Sequence, residues 1–153
     1  MQKLKEGDRA PGFSANDQYG RPVRLEDYRG KKVVLYFYPK DNTPGCTAEA
    51  CSLRDHHDVF LENGYAVIGV SADDAASHVK FTEKHGLPFP LIPDTGREII
   101  KAYGVWGPKK FMGREFEGII RTTFVIGEDG RIEKIFTKVK TTEHGEQILG
   151  AEK

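Results

Sequence analysis

The sequence predicts an α/β fold in which a mixed central β-sheet carries helices on both faces. Three observations predict it. Two short apolar runs, 33–38 (Val-Val-Leu-Tyr-Phe-Tyr) and 65–70 (Tyr-Ala-Val-Ile-Gly-Val), have the length and composition of buried strands. A helix-like segment follows each run, the alternation that builds parallel strand pairs. The chain then closes with two strand-like runs joined by Glu128-Asp129-Gly130, a hairpin turn that adds antiparallel pairing.

The elements follow in order. A pair of short strands is expected around Tyr19-Gly20. The first buried strand stops at Pro39. A helix is then expected from about Pro44 to Asn63, with Thr43 as its cap and Gly64 as its left-handed stop. After the second strand, Ser71 to Asp74 opens a helix that runs to His85 and ends at Gly86. Thr95-Gly96-Arg97-Glu98 has capping-box spacing before a short helix over 99–103, stopped by Gly104. The run 119–126 reads as a strand and 131–136 as its return. Parallel strands followed by an antiparallel hairpin give the mixed sheet of thioredoxin-like folds. No repeat or linker interrupts the pattern, so one domain over 1–153 is expected.

Composition narrows the function. The 153 residues carry 23 Lys+Arg and 23 Asp+Glu, a formal net charge of zero. That leaves no basic footprint for nucleic acid or an acidic lipid surface. Leu, Ile, Val and Phe account for 37 residues, enough for a packed core rather than a disordered chain. No signal-like apolar run opens the sequence, and no run is long enough to span a bilayer, so a cytoplasmic location is expected. There are two cysteines, Cys46 and Cys51. Two neighbouring thiols in a reducing compartment point to catalysis or metal binding rather than to a disulfide scaffold.

The chemistry concentrates between the first strand and its helix, in Pro39-Lys-Asp-Asn-Thr43-Pro-Gly-Cys46-Thr-Ala-Glu49-Ala-Cys51. Loops at the C-terminal ends of parallel strands are where open α/β sheets place their sites. With Thr43 as cap, Cys46 takes the third helical position, where unpaired amides and the helix dipole favour a thiolate. Cys51 lies five residues on. An ideal helix puts its Cα roughly 8–9 Å away and its side chain about 140° round. A disulfide needs less than about 7 Å, so the first helical turns must unwind before the two can bond. Pro44 and Gly45 weaken the helix at that end.

Here the sequence resembles the peroxiredoxins. Pro39-x-x-x-Thr43-x-x-Cys46 matches their active-site signature. The longer stretch from Tyr38 to Cys51 is similar to the bacterioferritin comigratory protein, or Q-type, branch. The resemblance extends to Gly7-Asp-Arg-Ala-Pro-Gly-Phe13, Gly69-Val-Ser71, Tyr103-Gly-Val-Trp-Gly107 and Gly118-Ile-Ile-Arg-Thr-Thr-Phe124. Leu53 departs from it, standing where an aromatic residue is expected.

The resemblance implies a thioredoxin-like fold and a thiol peroxidase without metal or organic cofactor. It implies that Cys46 attacks the peroxide O–O bond and becomes a sulfenic acid, shielded by Pro39. Thr43 and Arg121 would hydrogen-bond the thiolate and the peroxide oxygens, and Glu49 would orient the arginine. Cys51 would resolve the sulfenate to an intramolecular disulfide, which thioredoxin or a similar dithiol reduces. Independently, Arg121 falls within an apolar run, where a guanidinium needs an anionic partner. An internal pair of thiols needs no second subunit, so a monomer is expected and a dimer stays open.

Other readings remain at this stage. A thioredoxin-like disulfide oxidoreductase usually carries Cys-x-x-Cys, whereas four residues separate these thiols. A redox sensor or holdase would use the same helix opening. A zinc module would need more ligands at recognised spacing. His56 and His57 lie about 15 Å along the helix from Cys46, too far to act on it. Phe89, Trp106 and Phe111 read as packing residues.

Overall fold

The computed structural model describes residues 3–151. Its strands are β1 (Ser14–Asn16), β2 (Pro22–Arg24), β3 (Lys32–Phe37), β4 (Tyr65–Ser71), β5 (Leu91–Pro93), β6 (Trp106–Phe111), β7 (Arg114–Ile119), β8 (Thr122–Ile126) and β9 (Ile132–Phe136). Its α-helices are α1 (Pro44–Asp55), α2 (His57–Glu62), α3 (Ala75–His85), α4 (Glu98–Ala102) and α5 (His144–Ala151), with 3-10 turns at Leu25–Tyr28 and Thr141–Glu143.

The central sheet runs β5-β4-β3-β8-β9, parallel across β5, β4 and β3 and antiparallel across β3, β8 and β9. Strand β3 is buried on both faces, which explains its continuous apolar sequence. Val33, Leu35 and Phe37 point to one cluster, with Ile68, Val70, Phe124 and the α4 residues Ile99 and Ile100. Val34 and Tyr36, with Tyr38 just beyond the strand, point to the other, with Ala50, Leu53, Phe60, Phe81 and Ile148 from α1, α2, α3 and α5. Helices therefore cover both faces, as the sequence predicts. Gly69 on β4 permits the closest packing: a Cβ there would lie 2.7 Å from Leu91 and 2.9 Å from the ring of Tyr36.

The sequence reading has no helix after the final strand, where α5 lies, and four further details differ. The helix expected over 44–63 breaks at His56, whose backbone (φ −103°, ψ 6°) leaves helical geometry. Its ring Nδ1 lies 2.9 Å from the Ser52 carbonyl, the acceptor of its own helical turn. The start of α5 docks at the same point, where the Gly145 amide donates to Ser52 Oγ at 2.9 Å. A Cβ at 145 would come within 2.6 Å of His56 Nδ1, so only glycine fits this approach. Next, Thr95 does not cap α4. Asp94 does, accepting from the amides of Glu98 (3.1 Å) and Ile100 (2.8 Å).

The third difference is the run 119–126, which is two strands. β7 pairs with β6 as a separate antiparallel ribbon, and β8 joins the central sheet. Ile120 and Arg121 form the link between them. The ribbon escaped prediction because its turn is Met112-Gly113, both at positive φ, and methionine is not a turn signal. Strand β5 was missed too, since three residues carry no periodicity. Of the aromatics read as packing, Phe89 meets Tyr36 edge-on at 5.9 Å and Trp106 lies under Arg97 at 4.3 Å. The Phe111 side chain lies outside the description.

The loop after β3 is fastened from below by a buried polar network. Asp41 accepts from Tyr38 Oη (2.7 Å) and Ser77 Oγ (2.8 Å) and meets His78 Nδ1 at 2.7 Å. Its amide donates to Asp73 Oδ2 at 2.9 Å. The side chains of His78 and Asp41 are 0% and 1% exposed, so removing either strands a buried polar partner. His78→Ala is expected to lower stability by about 3 kcal/mol, read as a lower urea midpoint with an unchanged slope.

Candidate active site

Cys46 occupies the third position of α1 and is 1% exposed. Pro44 opens the helix, where its missing amide costs nothing. Thr43 is the N-cap by backbone (φ −90°, ψ 152°), but its side chain does not cap the helix. Its hydroxyl donates instead to the Lys40 carbonyl at 2.8 Å. This corrects the expected role: the amides that a threonine oxygen would occupy are left for an anion at Cys46.

Arg121 reaches Cys46 from the opposite side. Its Nη2 donates to Sγ at 3.3 Å, and its Nη1 donates to Glu49 Oε1 at 2.5 Å. The register that pairs Thr122 with Phe37 sets this position, since it places the β7–β8 link at the end of β3, next to the loop that starts α1. Gly45 completes the fit, because a Cβ there would stand 3.2 Å from Arg121 Nη2. The guanidinium side chain is 22% exposed while the sulfur is closed off, so the arginine marks the open side of the site.

Glu49 is fully buried, one helical turn beyond Cys46. Burial pushes its carboxyl up to about 7, against the pull of Arg121. Its second oxygen, Oε2, has no hydrogen-bond partner. The nearest imidazole, His144 Nε2, is 3.6 Å away and is taken by Thr123 Oγ1 at 2.7 Å. Gln147 Oε1 already accepts from the Lys140 amide, so it also accepts from His144 Nδ1, at 2.9 Å. Nε2 is thus the unprotonated nitrogen, and burial pulls His144 down to about 4. The ring stays neutral and gives Glu49 no second cation.

Two further groups border the site without having been singled out in the sequence. Tyr36 Oη is buried and unpartnered, and burial, then Glu49 and Cys46, hold the phenol in its neutral form. Lys109 on the β6–β7 ribbon donates to the Ile119 carbonyl at 2.8 Å; burial and Arg121 lower its ammonium. Burial alone would lower the Arg121 guanidinium, but Glu49 and Cys46 more than offset that and raise it. The contacts of Arg121 with Glu49 and Cys46 join elements more than seventy residues apart, and that of Lys109 lies within a ribbon that carries no turn signal, so none has a local sequence signal.

The remaining candidates fall as follows. Pro39 is half-buried in the loop directly after β3. Cys51 is half-buried, and both thiols are free. Helix α1 runs unbroken through the two cysteines, so they cannot bond in this conformation. His56 and His57 lie at the α1–α2 junction, one on Ser52 and the other 5.9 Å from the ring of Phe89. Among the described residues, Asp41, Asp73 and His78 form the one group of three whose carboxylate and imidazole atoms all lie within 4.8 Å of one another. These are the anchoring network of the loop, already engaged with one another and with Tyr38 and Ser77. No helix among the described residues is long and apolar enough to cross a membrane.

Comparison with known proteins agrees with this geometry. Residues 6–135 match the model of the AhpC/TSA family. Peroxiredoxin Bcp of Bacillus subtilis is 48% identical over 146 residues, covering 95% of this chain and 93% of that protein. Peroxiredoxin Bcp of Escherichia coli K12 is 45% identical, covering 97% and 96%. A mutant of Xylella fastidiosa PrxQ superposes with a TM-score of 0.92 at 33% identity, over 99% of this chain and 97% of the other. Xanthomonas campestris bacterioferritin comigratory protein, described for its alkyl peroxide reduction activity, gives 0.85 at 33% identity, over 91% and 88%. With Cys46 at a helix N-terminus, Arg121 on its sulfur and relatives matched from end to end, the chain belongs to the AhpC/TSA family as a thioredoxin-fold peroxiredoxin of the Bcp/PrxQ type.

Proposed function

We propose that this chain reduces hydrogen peroxide and organic hydroperoxides, with Cys46 as the peroxidatic thiol and Cys51 as the resolving one. The observation that carries the reading is the Arg121 donor 3.3 Å from a sulfur in the first turn of α1. The Cys46 thiolate attacks the outer peroxide oxygen, the O–O bond breaks, and the departing alkoxide or hydroxide takes a proton. Fixed donors aimed at the oxygens lower that barrier, and Arg121 and the first amides of α1 are such donors. Thr43 gives its hydrogen to the Lys40 carbonyl, so its oxygen is free to accept from the O–H of the incoming peroxide. Pro39, at the loop entrance, keeps bulk water from the sulfenate. No cofactor takes part in this step.

Glu49 acts through Arg121. Ionised, it holds the guanidinium by a charge-assisted bond; neutral, it holds it less firmly. After oxidation, α1 unwinds from its Pro44-Gly45 end, Cys51 displaces water from the Cys46 sulfenate, and a thioredoxin-like dithiol reduces the disulfide. An uncharged substrate fits the zero net charge, and an internal disulfide fits a monomer in the cytoplasm.

One equivalent of hydrogen peroxide should remove two hydrogens from the reduced protein within seconds, seen by intact mass, and Cys46→Ser should abolish this. Oxidation no faster than that of a free thiol would refute the peroxidase. In Cys51→Ser the first oxidation should keep its rate, while a sulfenic acid accumulates and turnover with thioredoxin stops. Sustained turnover would remove Cys51 from the mechanism. Since Glu49 titrates at about 7, the rate of Cys46 oxidation should fall as pH drops from 8 to 6. Glu49→Gln should flatten that profile near the low-pH rate, about tenfold below the wild-type plateau, for roughly 1.4 kcal/mol lost from a charge-assisted bond.

A further inference from the structure

Cys51 must also become a nucleophile, and nothing that activates Cys46 reaches it. It is the eighth residue of α1, beyond the turn over which a helix dipole acts. Arg121 is committed to Cys46 and Glu49. A different group faces it: His85, the last residue of α3, whose Nδ1 lies 3.9 Å from Cys51 Sγ. Two contacts fix that imidazole. Phe81 packs against its ring at 5.3 Å, at an interplanar angle of 77°. Arg54, three residues beyond Cys51, donates to the His85 carbonyl at 2.7 Å and ties the end of α3 to α1.

We infer that His85 is the general base that takes the Cys51 thiol proton during disulfide formation, an inference that rests on Cys51 being the resolving thiol. The step balances without an added oxidant or reductant. The S–H bond of Cys51 breaks, its proton passes to Nδ1 of neutral His85, and its electron pair forms the S–S bond. The S–O bond of the Cys46 sulfenic acid breaks, and the departing hydroxide becomes water with the proton that His85 releases through solvent. The Cys46 sulfur is reduced and the Cys51 sulfur oxidised, each to the disulfide level. His85 stands on α3, outside the turns of α1 that must open, so the base is in place when Cys46 arrives at Cys51.

The charged neighbours of the pair are few. Arg54 and Asp55 come from α1, paired with each other at 3.0 Å, and exposed Lys84 precedes His85 on α3. The Leu87–Pro90 stretch beyond Gly86 brings no charge. Arg54 is therefore compensated by Asp55, and the imidazole is the group placed to take the thiol's proton.

The test is single-turnover oxidation of the wild type, His85→Gln and His85→Ala with one equivalent of hydrogen peroxide, from pH 6.5 to 9.5. Sulfenic acid is trapped with dimedone and disulfide counted by intact mass. An ordinary thiol is about 3% ionised at pH 7, so a base can speed its attack by at most roughly thirtyfold. Both variants are expected to oxidise Cys46 at the wild-type rate and to form the disulfide about tenfold more slowly at pH 7. The gap should close toward pH 9.5, where hydroxide can remove a thiol proton without a base, and free imidazole should partly restore His85→Ala. Equal rates at pH 7, or a slowing that is the same at every pH, would overturn the base and leave Cys51 as resolving residue. A wild type that forms no internal disulfide would instead remove the reading on which the inference rests.

Discussion

The guanidinium of Arg121 stands between a buried sulfur and a buried carboxylate, and much of the surrounding structure serves to keep it there. A cation in that position is costly unless both partners are placed for it. Glu49 and Cys46 are three residues apart on α1, so one helical face presents both to one arginine. Gly45 leaves the room the guanidinium needs. On the other side, the chain leaves the β6–β7 ribbon and enters the central sheet at Ile120-Arg121. That change of sheet lets Arg121 reach the end of β3 instead of lying in a ladder.

Helix α1 answers two demands that pull against each other. It has to be rigid, because it carries Cys46 and Glu49 in register. It also has to open if its two cysteines are ever to meet. The structure separates these demands along its length. The N-terminal end has proline, glycine and no side-chain cap. Farther along, Ala50 and Leu53 are buried in the core, and Ser52 accepts the Gly145 amide from α5. The break at His56 belongs to this fastening, since the ring that ends α1 is the surface on which α5 starts. Opening from the weak end leaves the fastened end in place.

The sequence showed most of the fold because the sheet is held by local patterns. Each buried strand is a short apolar run, and Asp74 and Gly86 bracket α3 as their residue types require: Asp74 accepts from the Ser77 amide at 2.9 Å, and Gly86 sits at φ 61°. It failed where a distant contact, a competing neighbour or an unusual turn residue overrode the expected local signal. His56 ends a helix because α5 arrives there, Asp94 displaces the Thr95 capping box, and a Met-Gly turn makes a ribbon. The site shows the same division. Cys46, Thr43 and Glu49 lie in one motif and could be read together. That Thr43 turns its hydroxyl back to Lys40 is a choice between two local partners that the sequence does not decide, and that His144 withholds its nitrogen from Glu49, far back in the chain, depends on Thr123 and Gln147.

Those distant partners decide how the site is charged. Had His144 been free to protonate, Glu49 would sit between two cations and stay ionised far below neutral pH. Thr123 and Gln147 hold His144 in its neutral tautomer, and burial does the rest. The buried Tyr36 phenol interacts with Glu49 but adds no donor to Oε2. Glu49 is therefore left with Arg121 alone, and its carboxyl rises to about 7. A carboxyl poised there holds the guanidinium by its full charge only when ionised, so the grip on Arg121, and with it the donor on the sulfur, weakens as pH falls through neutrality. The neutral imidazole beside Glu49 thus acts on Cys46 at second hand: by withholding a second cation it leaves the carboxylate that holds Arg121 open to protonation near neutral pH.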